Sequence, residues 1–181
     1  MRTVICATGL GYIRFGSPKL RLPIILGHEA SGVITGIGKG EKELHPGDRV
    51  AVTNDYYVSG TCRFCMEGAT NLCVNRRSIG SAENGSFAEY MVVPRSMILP
   101  LPDSVSFEEG ALLEVLACCT HALHTQIRLE GNETVLILGP GTIGACAAMV
   151  VKAAGCKVIV AGLAQDAERL SILKQKTCWV S

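Results

Sequence analysis

The sequence predicts a mixed fold in which a small antiparallel β-domain precedes one βαβ unit of a parallel sheet. Up to about Pro102 the chain carries short apolar runs interrupted by Gly, Pro and Asp, which is typical of short strands joined by tight turns. From about Ser104 longer helix-like and strand-like segments follow. This change in texture predicts a small barrel or sandwich first and an α/β layer second.

Three apolar runs carry the strand predictions of the first part. They span residues 30–37, 49–53 and 87–93, and the last run is rich in β-forming residues and ends at Pro94. Gly47-Asp48 indicates a turn into the second run. We therefore expect three strands from these runs.

The second part begins with a capped helix. Ser106 is the expected N-cap and Glu109 its capping-box partner, and the helix should continue towards His124. The later elements are a strand over 134–138, a helix over 143–154 that stops at Gly155, and a second strand over 157–161. Together these segments predict one βαβ unit.

The composition of the 181 residues excludes several classes of protein. With 17 basic and 16 acidic side chains the net charge is +1, so no surplus of cations exists to neutralise nucleic-acid phosphates. Aromatic residues make up 5%, which argues against a surface that stacks bases. An apolar fraction of 48% argues against disorder. We expect a folded protein without a nucleic-acid partner.

The longest uncharged stretch does not predict a membrane span. It covers residues 134–151, but Gly139, Pro140, Gly141 and Gly144 interrupt it, as in a strand, a turn and a buried helix. The residues after Met1 lack the apolar run of a signal peptide. We therefore expect a cytoplasmic protein with no membrane partner, in which clustered cysteines bind metal more often than they form disulfides.

A glycine-rich turn predicts dinucleotide binding. The pattern G-x-G-x-x-G lies between a predicted strand and a predicted helix, and the helix N-terminus offers free N–H groups to a pyrophosphate. The candidate cofactor-binding residues are Gly139, Gly141, Thr142, Ile143 and Gly144. A tight βα turn without a ligand is the alternative.

The acidic residue that should follow about 20 positions after this turn is missing. The second strand ends at Ala161-Gly162-Leu163, with Asp166 and Arg169 nearby. The choice between NAD and NADP therefore stays open.

Two sets of residues have the chemistry of metal ligands. Cys62, Cys65 and Cys73 have the spacing of a zinc loop, although Ser59 stands where a fourth cysteine would complete it. The alternative is three cysteines without a metal. His28-Glu29 and Glu114, an acid within an apolar helix, are further candidates, and both have ordinary structural alternatives.

The order of these motifs resembles that of the zinc-containing medium-chain alcohol dehydrogenases, especially their polyol (sorbitol-like) and threonine dehydrogenase branch. The motifs that carry the resemblance are Gly27-His28-Glu29-Ala30-Ser31-Gly32-Val33, Gly47-Asp48-Arg49-Val50, the three-cysteine loop, Gly85-Ser86-Phe87-Ala88-Glu89-Tyr90 and the glycine turn. The resemblance extends from about Val4 to Leu170.

This resemblance implies a GroES-like β-barrel catalytic domain over 1–116 and a partial Rossmann dinucleotide-binding domain over 117–181. It matches His28 to a ligand of a catalytic zinc and Glu29 to a carboxylate that binds this zinc in some members and only lies next to its ligands in others. Glu114 matches a glutamate that holds the zinc or its water, although Val115 stands where a proline usually follows. The three cysteines match ligands of a structural zinc. The implied reaction passes a hydride between a secondary alcohol or polyol and NAD or NADP, with zinc lowering the pKa of the hydroxyl. A homo-oligomer is left open.

Departures from the family pattern predict that the chain as written is inactive. Gly11-Tyr12 directly follows residues 7–10, where the family carries a zinc-binding cysteine and a proton-relay hydroxyl. Cys6 precedes this element, so we expect it not to be a ligand. The family's first strands are missing and its pattern dissolves after Leu170, as if the chain were truncated at both ends. The alternatives are a non-catalytic remnant and a small zinc-binding module.

Overall fold

The computed structural model describes residues 1–177 and divides into two compact units. The first unit ends at Glu114, whereas the sequence predicts the domain boundary after residue 116. The assignment of these two parts to a catalytic and a dinucleotide-binding domain stays a prediction.

The first unit is built mainly from short antiparallel strands. Four of them form a sheet in the order β1-β2-β3-β6, and two others form a separate ribbon, β4-β5. The strands are β1 (Arg2–Thr3), β2 (Ala30–Val33), β3 (Arg49–Val52), β4 (Asp55–Tyr57), β5 (Arg77–Ser78) and β6 (Ile98–Pro100). The helical segments are α1 (Ala7–Phe15), α2 (Arg63–Met66), α3 (Phe107–Gly110) and the 3₁₀ turns Thr70–Leu72 and Arg95–Met97.

The core of this unit lies against β3. Val52 packs in one buried cluster with Ile79 and Met97, and the neighbouring Ala51 is also buried. Strands of three or four residues gain little from propensity alone, so this apolar contact is what holds the sheet together.

The predicted strand over residues 87–93 is wrong. The Phe87 N–H donates a hydrogen bond to the Leu26 carbonyl at 2.9 Å, but no ladder continues from it among the residues described. Tyr90 and Val92 are 71% and 90% exposed. A β-prone sequence becomes a strand only where a partner supplies hydrogen bonds, and no described strand does so here.

The second unit contains the predicted βαβ unit. Its strands are parallel, with Thr134 opposite Lys157 and Leu138 opposite Ala161. The elements are β7 (Thr134–Leu138), α5 (Thr142–Ala153), β8 (Lys157–Ala161), a 3₁₀ turn (Ala164–Asp166) and α6 (Ala167–Thr177). One face of the strands packs on the helices, in a core of Ala148, Val151, Val158, Val160 and Leu173. The prediction of a mixed fold is confirmed.

The helix capped at Ser106 forms, but it is divided. It appears as α3, α4 (Leu113–Thr120) and a π-helical turn over His121–Gln126. After Leu170, where we expect the family pattern to dissolve, the chain continues α6 as far as Thr177. Residues 178–181 of that stretch lie outside the described residues. Within residues 1–177 no helix combines the length and apolar character needed to cross a membrane.

Candidate metal centres and a glycine turn

A mixed cluster of Cys6, His28 and Glu29 forms in the first unit, where one ligand atom from each residue lies within 4.8 Å of the others. The strand register brings them together. Thr3 of β1 pairs with Ala30 of β2, and the Val4 N–H donates to the Glu29 carbonyl at 3.1 Å. Because the strands β1 and β2 run antiparallel, the residues just after β1 lie beside those just before β2.

Close backbone approaches hold the His28-Glu29 segment in place. Gly27 has φ +95, and a Cβ there would lie 2.5 Å from the Ser86 Oγ. A Cβ on Gly85 would overlap the Gly27 carbonyl, which accepts a 3.0 Å hydrogen bond from the Ser86 N–H. These positions therefore require glycine, and the loop at 85–86 fixes the backbone that carries the cluster.

Glu29 is a buried carboxyl group beside other ionisable side chains. It is 3% exposed, and its Oε2 has no hydrogen-bond partner within the described part of the chain. Burial raises the pKa of Glu29, and the Glu114 carboxylate adds to this rise, while His28 and a hydrogen bond from Cys6 oppose it. An orphaned buried carboxylate oxygen is costly, and a cation would relieve that cost.

Of the three ligands predicted for the catalytic zinc, the structure brings two together in the mixed cluster. His28 and Glu29 are in the mixed cluster, with His28 Nε2 3.8 Å from Glu29 Oε1. Glu114, in the first turn of α4, acts electrostatically on Glu29 but is not in the convergent group. Its ligand role stays a prediction.

The expectation that excludes Cys6 is not supported, because the structure brings its thiol to the cluster. The order of the motifs along the sequence does not indicate this contact. The signal that finds it is the pairing of β1 with β2, which aligns the chain after Thr3 with the chain before Ala30.

A second group, the cysteine cluster, consists of Cys62, Cys65 and Cys73, whose sulfur atoms lie within 4.8 Å of one another. Cys62 is the N-cap of α2, Cys65 lies within that helix, and Cys73 follows the 3₁₀ turn. The Cys62 and Cys65 Sγ atoms are 3.5 Å apart. Zinc–sulfur bonds of about 2.3 Å at tetrahedral angles require roughly 3.8 Å, so the arrangement fits zinc.

Ser59 occupies the position of a fourth ligand. Its Oγ lies 3.5 Å from the Cys73 Sγ and 3.8 Å from the Cys65 Sγ, and its N–H donates to the Cys73 Sγ at 3.3 Å. Backbone N–H groups, first that of Cys65, lower the pKa of Cys62 to about 6, which favours the thiolate form that binds metal.

The glycine turn connects β7 to α5 as predicted. The Gly139 N–H donates to the Ala161 carbonyl at 2.7 Å, and Gly141 is the N-cap of α5. A Cβ on Gly144 would overlap the Gly139 carbonyl oxygen, so helix and turn pack in direct contact. Thr142 and Ile143 lie exposed in the first turn of the helix, where N–H groups lack intrahelical partners.

The end of β8, where the acidic residue of the dinucleotide-binding pattern is missing, is held in place by close packing and a hydrogen bond. A Cβ on Gly162 would lie 3.0 Å from the Pro140 Cδ, so the end of β8 lies close to the glycine turn. Asp166 accepts a 3.0 Å hydrogen bond from the Leu163 N–H, which keeps its carboxylate near this strand end.

Comparison with known proteins gives these clusters a family context. Residues 2–103 match the alcohol dehydrogenase GroES-like domain family. The D-arabitol-phosphate dehydrogenase of Enterococcus avium is 38% identical over 173 residues, which are 96% of this chain and 49% of that protein. The chain thus spans about half the length of the curated relatives that it matches.

Solved structures share the fold. Galactitol-1-phosphate dehydrogenase from Escherichia coli superposes with a TM-score of 0.87 at 35% identity, covering 98% of this chain and 51% of that one. A protein assigned as a zinc-binding dehydrogenase from Sinorhizobium meliloti 1021, bound to NADP, gives 0.90 at 30% identity and covers 99% and 52%. The two units have the GroES-like and partial Rossmann folds expected from the sequence, and the chain belongs to the alcohol dehydrogenase GroES-like domain family.

Proposed function

We propose that the chain carries the metal-binding and nucleotide-binding parts of a zinc-dependent oxidoreductase that exchanges a hydride between a secondary alcohol or polyol and NAD or NADP. The observation that carries the proposal is the convergence of a thiol, an imidazole and a buried carboxylate in the mixed cluster. Relatives named for arabitol phosphate and galactitol phosphate, and a neighbour bound to NADP, support it.

The donor set of the mixed cluster fits zinc. Sulfur, nitrogen and carboxylate oxygen are its usual ligands, and three protein ligands leave a coordination position for substrate. The unpartnered Glu29 Oε2 is the oxygen that a cation would satisfy. When bound, zinc supplies the Lewis acidity that lowers the pKa of an alcohol, and a bound nicotinamide supplies the hydride acceptor.

The chain's own residues bind and orient the reactants. His28 lines a polar pocket of about 640 Å³, and Thr8 of α1 lines the same pocket. We infer that the Thr8 hydroxyl is the proton-relay group, a role that the sequence leaves unassigned, because it lines the same pocket as His28. The N–H groups at the start of α5 would hold a pyrophosphate, with Gly141 allowing its close approach.

A small zinc-binding module is the second candidate, and the cysteine cluster favours it because those three thiols can bind zinc without any redox role. The two candidates differ in whether the mixed cluster binds a metal that substrate can approach. A cytoplasmic location remains a prediction, and the oligomeric state remains open.

Cobalt substitution tests the proposal without requiring turnover. The 181-residue chain is loaded with Co²⁺, and its visible absorption is followed while sorbitol is added. We expect sorbitol to shift the absorption bands of the wild type. In His28→Ala we expect weaker absorption and no shift when sorbitol is added. Cys118→Ser, outside both clusters, is the matched control and should behave as wild type.

An absorption spectrum and a sorbitol response that are the same in His28→Ala and in the wild type would overturn the dehydrogenase proposal. Absorption from the cysteine cluster alone, with no response to sorbitol, would favour the zinc-binding module. Circular dichroism confirms that each variant is folded.

A further inference from the structure

Several basic side chains line the polar pocket that contains His28, and we call it the basic pocket. Among residues 1–177, four basic side chains and no carboxylate line it, although the whole chain carries a net charge of only +1. The basic residues are Lys19, Arg21, Arg76 and Arg77. A concave surface lined by one sign of charge concentrates ligands of the opposite sign.

Two of these cations already have partners. Arg76 forms an ion pair with Asp55, and Arg77 Nη1 lies 2.7 Å from Glu83 Oε1. The Arg77 guanidinium also lies 4.8 Å from the centre of the Tyr57 ring. These contacts restrain the two arginines and offset part of their charge.

Lys19 and Arg21 differ, because no carboxylate of residues 1–177 pairs with either side chain. Their backbone is nevertheless anchored, since the Lys19 N–H donates to the Ser17 Oγ at 3.2 Å and the Arg21 N–H to the Ser81 carbonyl at 3.0 Å. Two cations that have no carboxylate partner within residues 1–177 therefore lie on an anchored segment that lines one pocket.

We propose that the basic pocket binds the phosphate end of a phosphorylated polyol and that Lys19 and Arg21 recognise the phosphate. This inference rests on the proposed function, whose substrate class it names. A phosphate monoester is a compact dianion that accepts two parallel hydrogen bonds from a guanidinium and pairs with an ammonium. A neutral polyol would leave both charges uncompensated.

His28 and the basic residues line one and the same pocket. A volume of about 640 Å³ is in the range of small-molecule sites. Asn54, Ser78 and Thr8 line the wall together with His28, so hydrogen-bonding groups for hydroxyls lie in the same pocket as the basic residues.

Calorimetry on the zinc-loaded 181-residue chain tests the inference, with sorbitol 6-phosphate and sorbitol as matched ligands. We expect the phosphorylated ligand to bind at least about tenfold more tightly, as two charge-assisted contacts would give. Lys19→Gln/Arg21→Gln should remove this preference, so that sorbitol 6-phosphate binds no more tightly than sorbitol. Inorganic phosphate should compete only with sorbitol 6-phosphate.

Arg14→Gln is the matched control, because it removes one positive charge from an exposed position of α1 that does not line the pocket. It should keep the full preference. Equal binding of the two ligands by the wild type, a preference that survives in the double variant, or an equal loss in Arg14→Gln would each overturn the inference.

The outcome separates this inference from the proposed function. A chain whose mixed cluster binds metal but which shows no preference for phosphate contradicts only the present inference. A chain that prefers phosphate through Lys19 and Arg21 but has no metal in the mixed cluster contradicts only the proposed function.

Discussion

At the scale of single residues, burial distinguishes the acidic side chains that are candidate metal ligands from those that form ordinary surface ion pairs. Glu29 is almost fully buried beside a thiol and an imidazole, and one of its oxygens lacks a partner. Glu108, in contrast, is a solvent-exposed acid whose pKa is lowered mainly by a hydrogen bond from Arg2. The same side-chain type is thus a candidate ligand at one position and an ordinary surface ion pair at the other.

We expect Ser59 to limit the affinity of the cysteine cluster for zinc. Its oxygen is placed near two of the thiols, so Ser59→Cys would supply a fourth sulfur without moving the backbone. Because a thiolate binds zinc more strongly than a hydroxyl, we expect affinity to rise by roughly tenfold or more, about 1.4 kcal/mol. Competition with a fluorescent zinc chelator measures this change.

Ser59→Ala is the control for that experiment, since it changes the same position without adding a ligand. Its affinity should equal or fall below that of the wild type. A gain in Ser59→Ala, or no gain in Ser59→Cys, would show that Ser59 is not at the fourth ligand position.

At the scale of elements, two glycines of the glycine turn have different roles: Gly144 is needed for packing, and Gly141 is a candidate for binding. Gly144 touches the Gly139 carbonyl, whereas a Cβ on Gly141, which has φ −73, would meet nothing within 4 Å. Gly144→Ala should therefore lower the free energy of unfolding by about 1–3 kcal/mol, because the helix must move away from the turn. Urea denaturation checks this loss.

Gly141→Ala should unfold at nearly the wild-type urea concentration, since its backbone is accessible to alanine. If the turn binds a pyrophosphate, the added methyl should still weaken NADH or NADPH binding, measured by fluorescence. Equal stability of the two variants would contradict the packing described for Gly144.

The capping box at α3 predicts a pH dependence. The Ser106 hydroxyl and N–H donate to the Glu109 carboxylate at 2.7 and 2.8 Å and lower its pKa. A lowered pKa stabilises the fold above the ordinary carboxyl value of about 4.3, and this contribution is lost as pH falls through the lower folded value.

Glu109→Gln keeps an acceptor but cannot titrate. Its urea midpoint should therefore lie below that of the wild type at pH 7, and the two should converge towards pH 3. A difference in midpoints that stays constant over this range would rule out the carboxylate as the source.

The elements also show what a sequence can predict. The βαβ unit was predictable because long apolar runs, a glycine turn and Gly155 define it locally, and the structure confirms β7, α5 and β8. The segment 87–93 and the position of Cys6 were not, since both depend on which strands pair. Pairing joins residues distant in sequence, and local propensity does not encode it.

At the scale of the whole molecule, the described residues contain one βαβ unit, whereas a full dinucleotide fold contains two βαβαβ halves. The 181-residue chain alone should therefore show no NAD- or NADP-dependent oxidation of sorbitol, followed at 340 nm. Robust turnover that disappears in His28→Ala would contradict this prediction.

The central claim is that Cys6, His28 and Glu29 form a zinc site distinct from the cysteine cluster. Its most direct test is the zinc content of the purified chain, measured by mass spectrometry after removal of loosely bound metal. We predict two zinc ions per chain in the wild type and in Cys118→Ser, and one in Cys6→Ser or His28→Ala. A wild-type value of one that neither substitution lowers would contradict the account.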